Sequence, residues 1–351
     1  MGDARRRLLG GTLIRAQPRP LILFPEHPVS LSPADLTRVT VNVFPGGFNW
    51  PSFVAQSEGF FARESLAVEL LPTPNSIAQM TGLATGAFDI AMTAFDNIVA
   101  YVEGQGEAPI GPQPDFFAFM GSDSGFLSLV ATPDVAEIGD LAHRVLSVDA
   151  RTTGYAFVLL EMMRRAGFPE ETLTIEKVGG MVQRYGALLE KRQAATLLSA
   201  PYNILARRHG LTQLAHAVDS IGPYQGNVAA ARRGWAEANS GTVTAFIRAY
   251  AAAIAWLYVP DNRARAIAVL RANVEMDETL AQETYDELLD PARGFFKEAS
   301  VDRTGMATVL ALRSRYGVPA KHLDDPARYY DPQFYESALA MAEAESSAPA
   351  G

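Results

Sequence analysis

Strand-like and helix-like segments alternate twice along this chain, and that order leaves few folds open. Residues 38–44 alternate apolar and polar side chains with β-branched enrichment and break at Pro45-Gly46-Gly47, which reads as a strand running into a loop. Over 50–61, Phe53, Val54, Ser57, Phe60 and Phe61 fall at three-and-four spacing, so a helix follows, with Gly59 as its weak point. A strand over 66–71, a helix over 76–85 ended by Gly86, and a short buried strand over 89–92 complete the first round. The second round has strands over 126–131, 145–148, 174–178 and 194–198, and a helix over 155–166 closed by Gly167 and Pro169. Such alternation implies right-handed crossovers and largely parallel sheets covered by helices, hence two similar α/β lobes. Beyond about residue 235 only helices are expected, over 241–258, 262–273, 277–289, 303–316 and 332–345. Asn239-Ser240, Asp261-Asn262 and Asp277 stand at their starts as caps.

Length agrees, because 351 residues suffice for two domains. A net charge of −9 should repel a phosphate backbone, which disfavours nucleic acid and anionic membrane surfaces as partners. With no cysteine, the chain has no disulfide, thiolate metal ligand or cysteine nucleophile. No apolar run reaches the length of a membrane span; the best, 249–259, reads as a buried helix. Arg5-Arg6-Arg7-Leu8-Leu9 resembles the charged start of an export signal, yet Arg15 and Pro18 interrupt what should follow. Residues 1–37 therefore lie outside the domains, as a tail, a misplaced start or an unusual export signal, and 343–351 form a small polar tail.

In open α/β sheets the ligand crevice lies beyond the carboxyl ends of the strands, so residues just after each strand are the informative ones. In the first lobe these are Phe48, Asn49 and Trp50, then Asn75 and Ser76, then Thr93, Phe95, Asp96 and Asn97. The second lobe supplies Arg151, Thr152, Thr153 and Tyr155, then Gly180, then Tyr202. Aromatics, hydroxyls and amides dominate, a chemistry that suits stacking on a flat ligand while a few hydrogen bonds orient it. Each position also has a plainer reading. Trp50 beside Pro51 can close the core at a helix start, Asp96 can cap a helix, and Thr153 can cap the helix whose first amides would otherwise hold an anion. Catalytic patterns are thin. His209 and His216 lack a supporting carboxylate pattern, and no nucleophile elbow, Walker loop or dinucleotide fingerprint occurs.

Several stretches resemble the extracytoplasmic substrate-binding proteins of ABC importers for nitrate, sulfonates, taurine and thiamine-pyrimidine precursors. They are Ala55-Gln56-Ser57-Glu58-Gly59-Phe60-Phe61-Ala62-Arg63-Glu64, then Leu83-Ala84-Thr85-Gly86-Ala87-Phe88-Asp89-Ile90-Ala91, Ile138-Gly139-Asp140-Leu141, and Thr242-Val243-Thr244-Ala245-Phe246. The resemblance implies the type II periplasmic-binding-protein fold: two Rossmann-like α/β lobes, a hinge near 130 and 220, an inter-lobe cleft and a helical C-terminal segment packed mainly on lobe one. Lobe one would comprise 38–131 plus 220–342 and lobe two 132–219. It further implies a protein that captures a small molecule in the periplasm or otherwise outside the cytoplasm and meets an ABC permease; the stacking chemistry of the loops adds a ring-containing organic ligand, and with the catalytic and cofactor motifs missing the expected protein is a monomer without cofactor, metal or catalytic residue. Ala200 replaces the acidic residue that many members carry before Pro201-Tyr202, and the cysteine-rich iron motif of the yeast-type pyrimidine synthases is missing. A cytoplasmic decarboxylase or lyase acting on an aromatic acid is the alternative, because a fold does not fix a function. A third reading, an intracellular sensor, lacks a DNA-binding segment in 1–37.

Overall fold

The computed structural model describes residues 36–111 and 114–347; the readings made for residues 1–35, the possible export signal among them, lie outside this range. Among the described residues ten strands form two five-stranded sheets. They are β1 (Thr37–Val43), β2 (Leu66–Pro72), β3 (Ile90–Ala94), β4 (Phe116–Gly121), β5 (Ser128–Ala131), β6 (Val145–Val148), β7 (Thr174–Lys177), β8 (Ala195–Leu198), β9 (Thr212–His216) and β10 (Asn227–Arg232). Sheet one has the order β2-β1-β3-β10-β4 and sheet two β7-β6-β8-β5-β9; lobes one and two are the layers built on them.

Between the strands run α1 (Trp50–Ser57), α2 (Phe60–Arg63), α3 (Ser76–Thr85), α4 (Phe95–Val102), α5 (Gly154–Arg165), α6 (Met181–Leu189), α7 (Tyr202–Arg208) and α8 (Ala217–Ile221). The C-terminal part adds α9 (Arg233–Ala238), α10 (Ser240–Leu257), α11 (Arg263–Asn273), α12 (Glu278–Leu288), α13 (Arg303–Tyr316) and α14 (Gln333–Ser347). Gly59, at φ +75°, breaks the first expected helix into α1 and α2, since a left-handed residue ends an α-helix and glycine adopts it without a steric penalty. Asp277 caps α12 by accepting from the Leu280 amide, whereas Asn239 and Asn262 make no side-chain cap bond. Helix α14 runs on to Ser347, into the stretch read as a tail.

The expectation of largely parallel sheets holds with one exception in each sheet, where a single strand runs against the other four. β1 pairs parallel with β2 and β3, and β6 parallel with β7 and β8. β10 is antiparallel to β3 and β4, and β5 is antiparallel to β8 and β9. The cause is topological: β5 and β10 enter their sheets from the opposite lobe, so each arrives without the helical crossover that makes a neighbour parallel. The chain changes lobes through 122–127 and 222–226. Asp123 ties these crossovers together, its carboxylate accepting from the Gly125 amide at 2.7 Å, the Asn227 amide at 3.2 Å and the Asn227 side chain at 3.0 Å. Burial raises the Asp123 carboxyl above the usual carboxylate range, against the lowering pull of those bonds.

The crossovers touch backbone to backbone. A Cβ added at Gly226 would stand 2.1 Å from the Gly125 nitrogen, so a main chain would have to shift. Gly226→Ala should therefore cost about 3 kcal/mol, as overpacking against an immovable neighbour does. The midpoint of urea unfolding checks it, and an unchanged midpoint would show that the crossovers are loose.

Cores match this layout. Helices α1, α10, α11 and α12 bury one face of sheet one around Phe246, Tyr250 and Leu288. A second apolar cluster runs from α3 and α4 through α13 into α5, so the two lobes share apolar packing on that side. Among the described residues no single helix is long and apolar enough to cross a membrane.

Candidate functional site

The carboxyl ends of the parallel strands in the two sheets meet. A Cβ added at Gly47, in the loop after β1, would lie 3.7 Å from the Ala200 carbonyl oxygen after β8. One added at Gly154, which opens α5 after β6, would lie 2.2 Å from Cγ of Asp96, which follows β3. The strand tips thus face one another, and at these two places they are in contact.

Arg313 of α13 occupies the middle of this junction. Its Nε and Nη2 donate to the two Asp96 oxygens at 2.5 Å, Nη2 also donates to the Thr152 carbonyl at 2.9 Å, and the guanidinium lies 4.7 Å from the centre of the Phe157 ring. Arginine and aspartate are 1% and 2% exposed, so one buried ion pair joins lobe one, lobe two and the C-terminal helices. Asp96 is accordingly committed to Arg313 and does not cap α4.

The other residues singled out in the sequence divide by place. Trp50 and Phe95 are 0% exposed in the apolar clusters, and the Trp50 indole N–H donates to the Ala266 carbonyl at 3.0 Å, so neither ring offers a face to a ligand. Phe48 packs, half-buried, on the lobe-one core. Asn49 donates to the Phe44 and Gly46 carbonyls and so shapes its own loop. Asn75 caps α3, which Ser76 opens, and Asn97 donates to the buried Thr93 hydroxyl. Thr153 caps α5 and donates to Asp149 at 2.7 Å, while the Thr152 hydroxyl donates to Glu107. Arg151 is exposed and paired with Glu170, and Gly180 is exposed at the start of α6. Tyr202 opens α7 with its ring 5.7 Å from that of Tyr185. Asp96, Thr152 and Tyr155 are brought together around the junction. Burial, with Asp123, Asp96 and Asp149 close by, raises the Tyr155 phenol well above its ordinary value.

Open space lies beside the strand tips. A cavity of about 620 Å³ is bounded by lobe two, by the C-terminal helices and by the first crossover, within the usual size of small-molecule sites. Its floor is Ser124, Phe126 and Leu127, with Val218 beside them. Left-handed backbone at Gly125 (φ +88°) and Phe126 (φ +54°) turns the crossover here, and the Phe126 ring stands edge-on to Phe295 at 5.1 Å. The lobe-two wall carries Arg207, Gln213 and His216; the facing wall carries Glu283, Asp286, Glu287 and Asp290 of α12 and the turn after it, then Arg293.

Ion pairs bridge the rim. Arg207 meets Glu287 at 3.3 Å, Arg208 meets Glu283 at 2.9 Å, Arg293 meets Asp219 at 2.9 Å, and Asn203 donates to Glu287. Burial, aided by the Arg293 charge, lowers the His216 pKa, so its imidazole is neutral at pH 7. Its Nδ1 lies 3.2 Å from the Ser128 hydroxyl, but that serine is 0% exposed and no substrate reaches it. Among the described residues no group of three His, Cys, Asp or Glu is placed to hold a metal ion.

Strand-tip reasoning missed this cavity because its charged residues lie on helix faces and an edge strand. Glu283, Asp286, Glu287 and Asp290 recur at three-and-four spacing, a stripe visible in the sequence and an available signal.

A family model described as NMT1/THI5 like matches residues 49–263. No curated protein sequence matches the chain. The periplasmic nitrate-binding protein NrtA from Synechocystis superposes with a TM-score of 0.73 at 12% identity, covering 90% of this chain and 92% of its own. The periplasmic aliphatic sulphonate-binding protein SsuA from Escherichia coli gives 0.66 at 15% identity, with 85% and 99% covered. DszB, solved as a mutant in complex with biphenyl-2-sulfinic acid, gives 0.60 at 12% identity, with 87% and 99% covered. At these identities the likeness is one of fold, the two-lobed fold of periplasmic binding proteins.

Proposed function

The chain belongs to the NMT1/THI5-like family, and from that premise we propose that it is a solute-binding protein, which captures a small organic molecule between its lobes and delivers it to an ABC importer outside the cytoplasm. The observation that carries this reading is the cavity whose walls come from lobe two, the C-terminal helices and the crossover. A molecule seated there touches parts that separate when the lobes part, so it binds the closed form better than the open one and shifts their populations. That difference is what a membrane permease can sense. The apolar floor of Phe126, Leu127 and Val218 suits a solute with a ring or a compact apolar body. A binding role rather than catalysis agrees with a wall in which Arg207, Glu283 and Glu287 are already ion-paired, and with the sealed Ser128 hydroxyl.

A thermal-shift screen of sulfonates, amino acids, pyrimidines and aromatic carboxylates tests the proposal. A ligand at 100 times its dissociation constant stabilises the form it binds by about 2.7 kcal/mol. The reading expects at least one such hit, recovered chemically unchanged by mass spectrometry after prolonged incubation. Conversion of the hit into a product, or a wholly silent screen, would overturn it.

A further inference from the structure

The mouth of the cavity is bridged by charge. Arg207 and Arg208 on α7 of lobe two meet Glu287, Asp277 and Glu283 on α12, Arg207 with Glu287 at 3.3 Å and Arg208 with Asp277 at 3.4 Å and with Glu283 at 2.9 Å. In a fourth pair the signs are exchanged: Asp219 on α8 of lobe two meets Arg293, in the turn after α12, at 2.9 Å. Asn203 of α7 donates to Glu287 as well. Helix α12 belongs with lobe one, since Leu280, Ala281, Tyr285 and Leu288 sit in its core cluster. These contacts therefore cross from one lobe to the other, and Arg207, Glu283, Glu287 and Arg293 are at the same time walls of the cavity. Parting the lobes here and opening the cavity are one event.

We propose that these pairs are an ionic clasp, through which the salt content of the surroundings sets how far the empty protein is closed. The argument is one of exposure. The paired side chains are 17–67% exposed, so dissolved ions reach them, and the Debye length falls from about 20 Å at 0.02 M salt to about 4 Å at 0.5 M. One such pair is worth little, but four that break together add their small contributions. Two other contacts at the junction are sheltered from salt: the Arg313 and Asp96 side chains are 1% and 2% exposed, and Ile204 of α7 packs into the lobe-one cluster by apolar contact. The exchanged polarity of the fourth pair adds register, because sliding lobe two along α12 would carry Asp219 from Arg293 toward the acidic side chains of that wall. None of this requires a solute, so the inference goes beyond the solute-binding reading and is tested apart from it.

The test uses the ligand-free chain with spin labels at Thr85→Cys on lobe one and Arg192→Cys on lobe two, both exposed and outside the clasp. Pulsed electron-electron resonance is recorded at about 0.02 M and about 0.5 M NaCl. The ratio of short to long inter-lobe distances should fall at least about threefold at the higher salt. Arg208→Gln combined with Asp219→Asn removes three of the four pairs; it should lower the ratio by a similar factor at low salt and leave it nearly indifferent to added salt. Arg38→Gln, which breaks an exposed pair with Glu69 inside lobe one, should change neither the ratio nor its salt response. Circular dichroism confirms that each variant is folded, and the salt response of the otherwise unaltered labelled chain stands without them. Sodium fluoride at equal ionic strength should act as the chloride does, since screening depends on charge and concentration. A ratio that ignores salt, a double variant that responds as strongly as the unaltered chain, or a response to chloride alone would each overturn the clasp. Solute binding, read in the thermal-shift screen, would survive any of these results.

Discussion

Replacing Trp50 by alanine should destabilise the protein by about 3–5 kcal/mol, the cost of emptying a fully buried aromatic site, and leave the affinity of any inter-lobe ligand where it was. The indole is 0% exposed, stands edge-on to Tyr285 at 5.5 Å, and donates to the Ala266 carbonyl of α11. It therefore locks α1 to the C-terminal helices and is not among the residues that line the cavity. Equilibrium urea unfolding gives the first number and calorimetry on a hit from the screen gives the second. A well-folded variant with lost affinity would return Trp50 to the binding surface, where the loop after the first strand had suggested it belonged.

Removing the Arg313 guanidinium should be of similar size. Arg313→Met leaves Asp96 buried at the lobe junction without its partner, an arrangement that costs about 3–5 kcal/mol. It also breaks the bond to the Thr152 carbonyl, one of the contacts through which α13 holds lobe two. The double variant Asp96→Leu with Arg313→Met should recover much of the loss, since the unpaired charge is then absent and both replacements are apolar. Unfolding midpoints of the single and double variants form the cycle. A double variant as unstable as the single one would show that geometry at the junction, rather than charge pairing, sets the cost.

Those two residues also show where a one-dimensional reading ends. The alternation of periods, the glycine that splits α1 from α2, the aspartate that caps α12 and the helix over 303–316 could all be read locally, because local spacing and cap chemistry decide them. β4 (Phe116–Gly121) could not. Its six residues are all buried, so it has no alternation to announce it, and its place beside β10 depends on a segment more than a hundred residues later. Trp50 follows a strand tip, as a ligand residue would, yet its position is settled by the Ala266 carbonyl 216 residues away. Asp96 reads as a post-strand polar residue available to a guest until α13 brings Arg313 against it. The cavity wall on α12 was written as an acidic stripe, but nothing local tells which face of a helix will meet the other lobe. The lobes were legible because their order is local; the proposed binding cavity was not, because long-range packing assembles it.

In the proposed function a solute sits between the lobes and draws them together. Since the chain contains no cysteine, Thr85→Cys on lobe one and Arg192→Cys on lobe two, both exposed, give a pair of spin labels without competing sites. Pulsed electron-electron resonance then reads the inter-lobe distance directly. The free protein should show a spread of distances that collapses to one short, narrow population at saturating ligand. An identical distribution with and without bound ligand would contradict it.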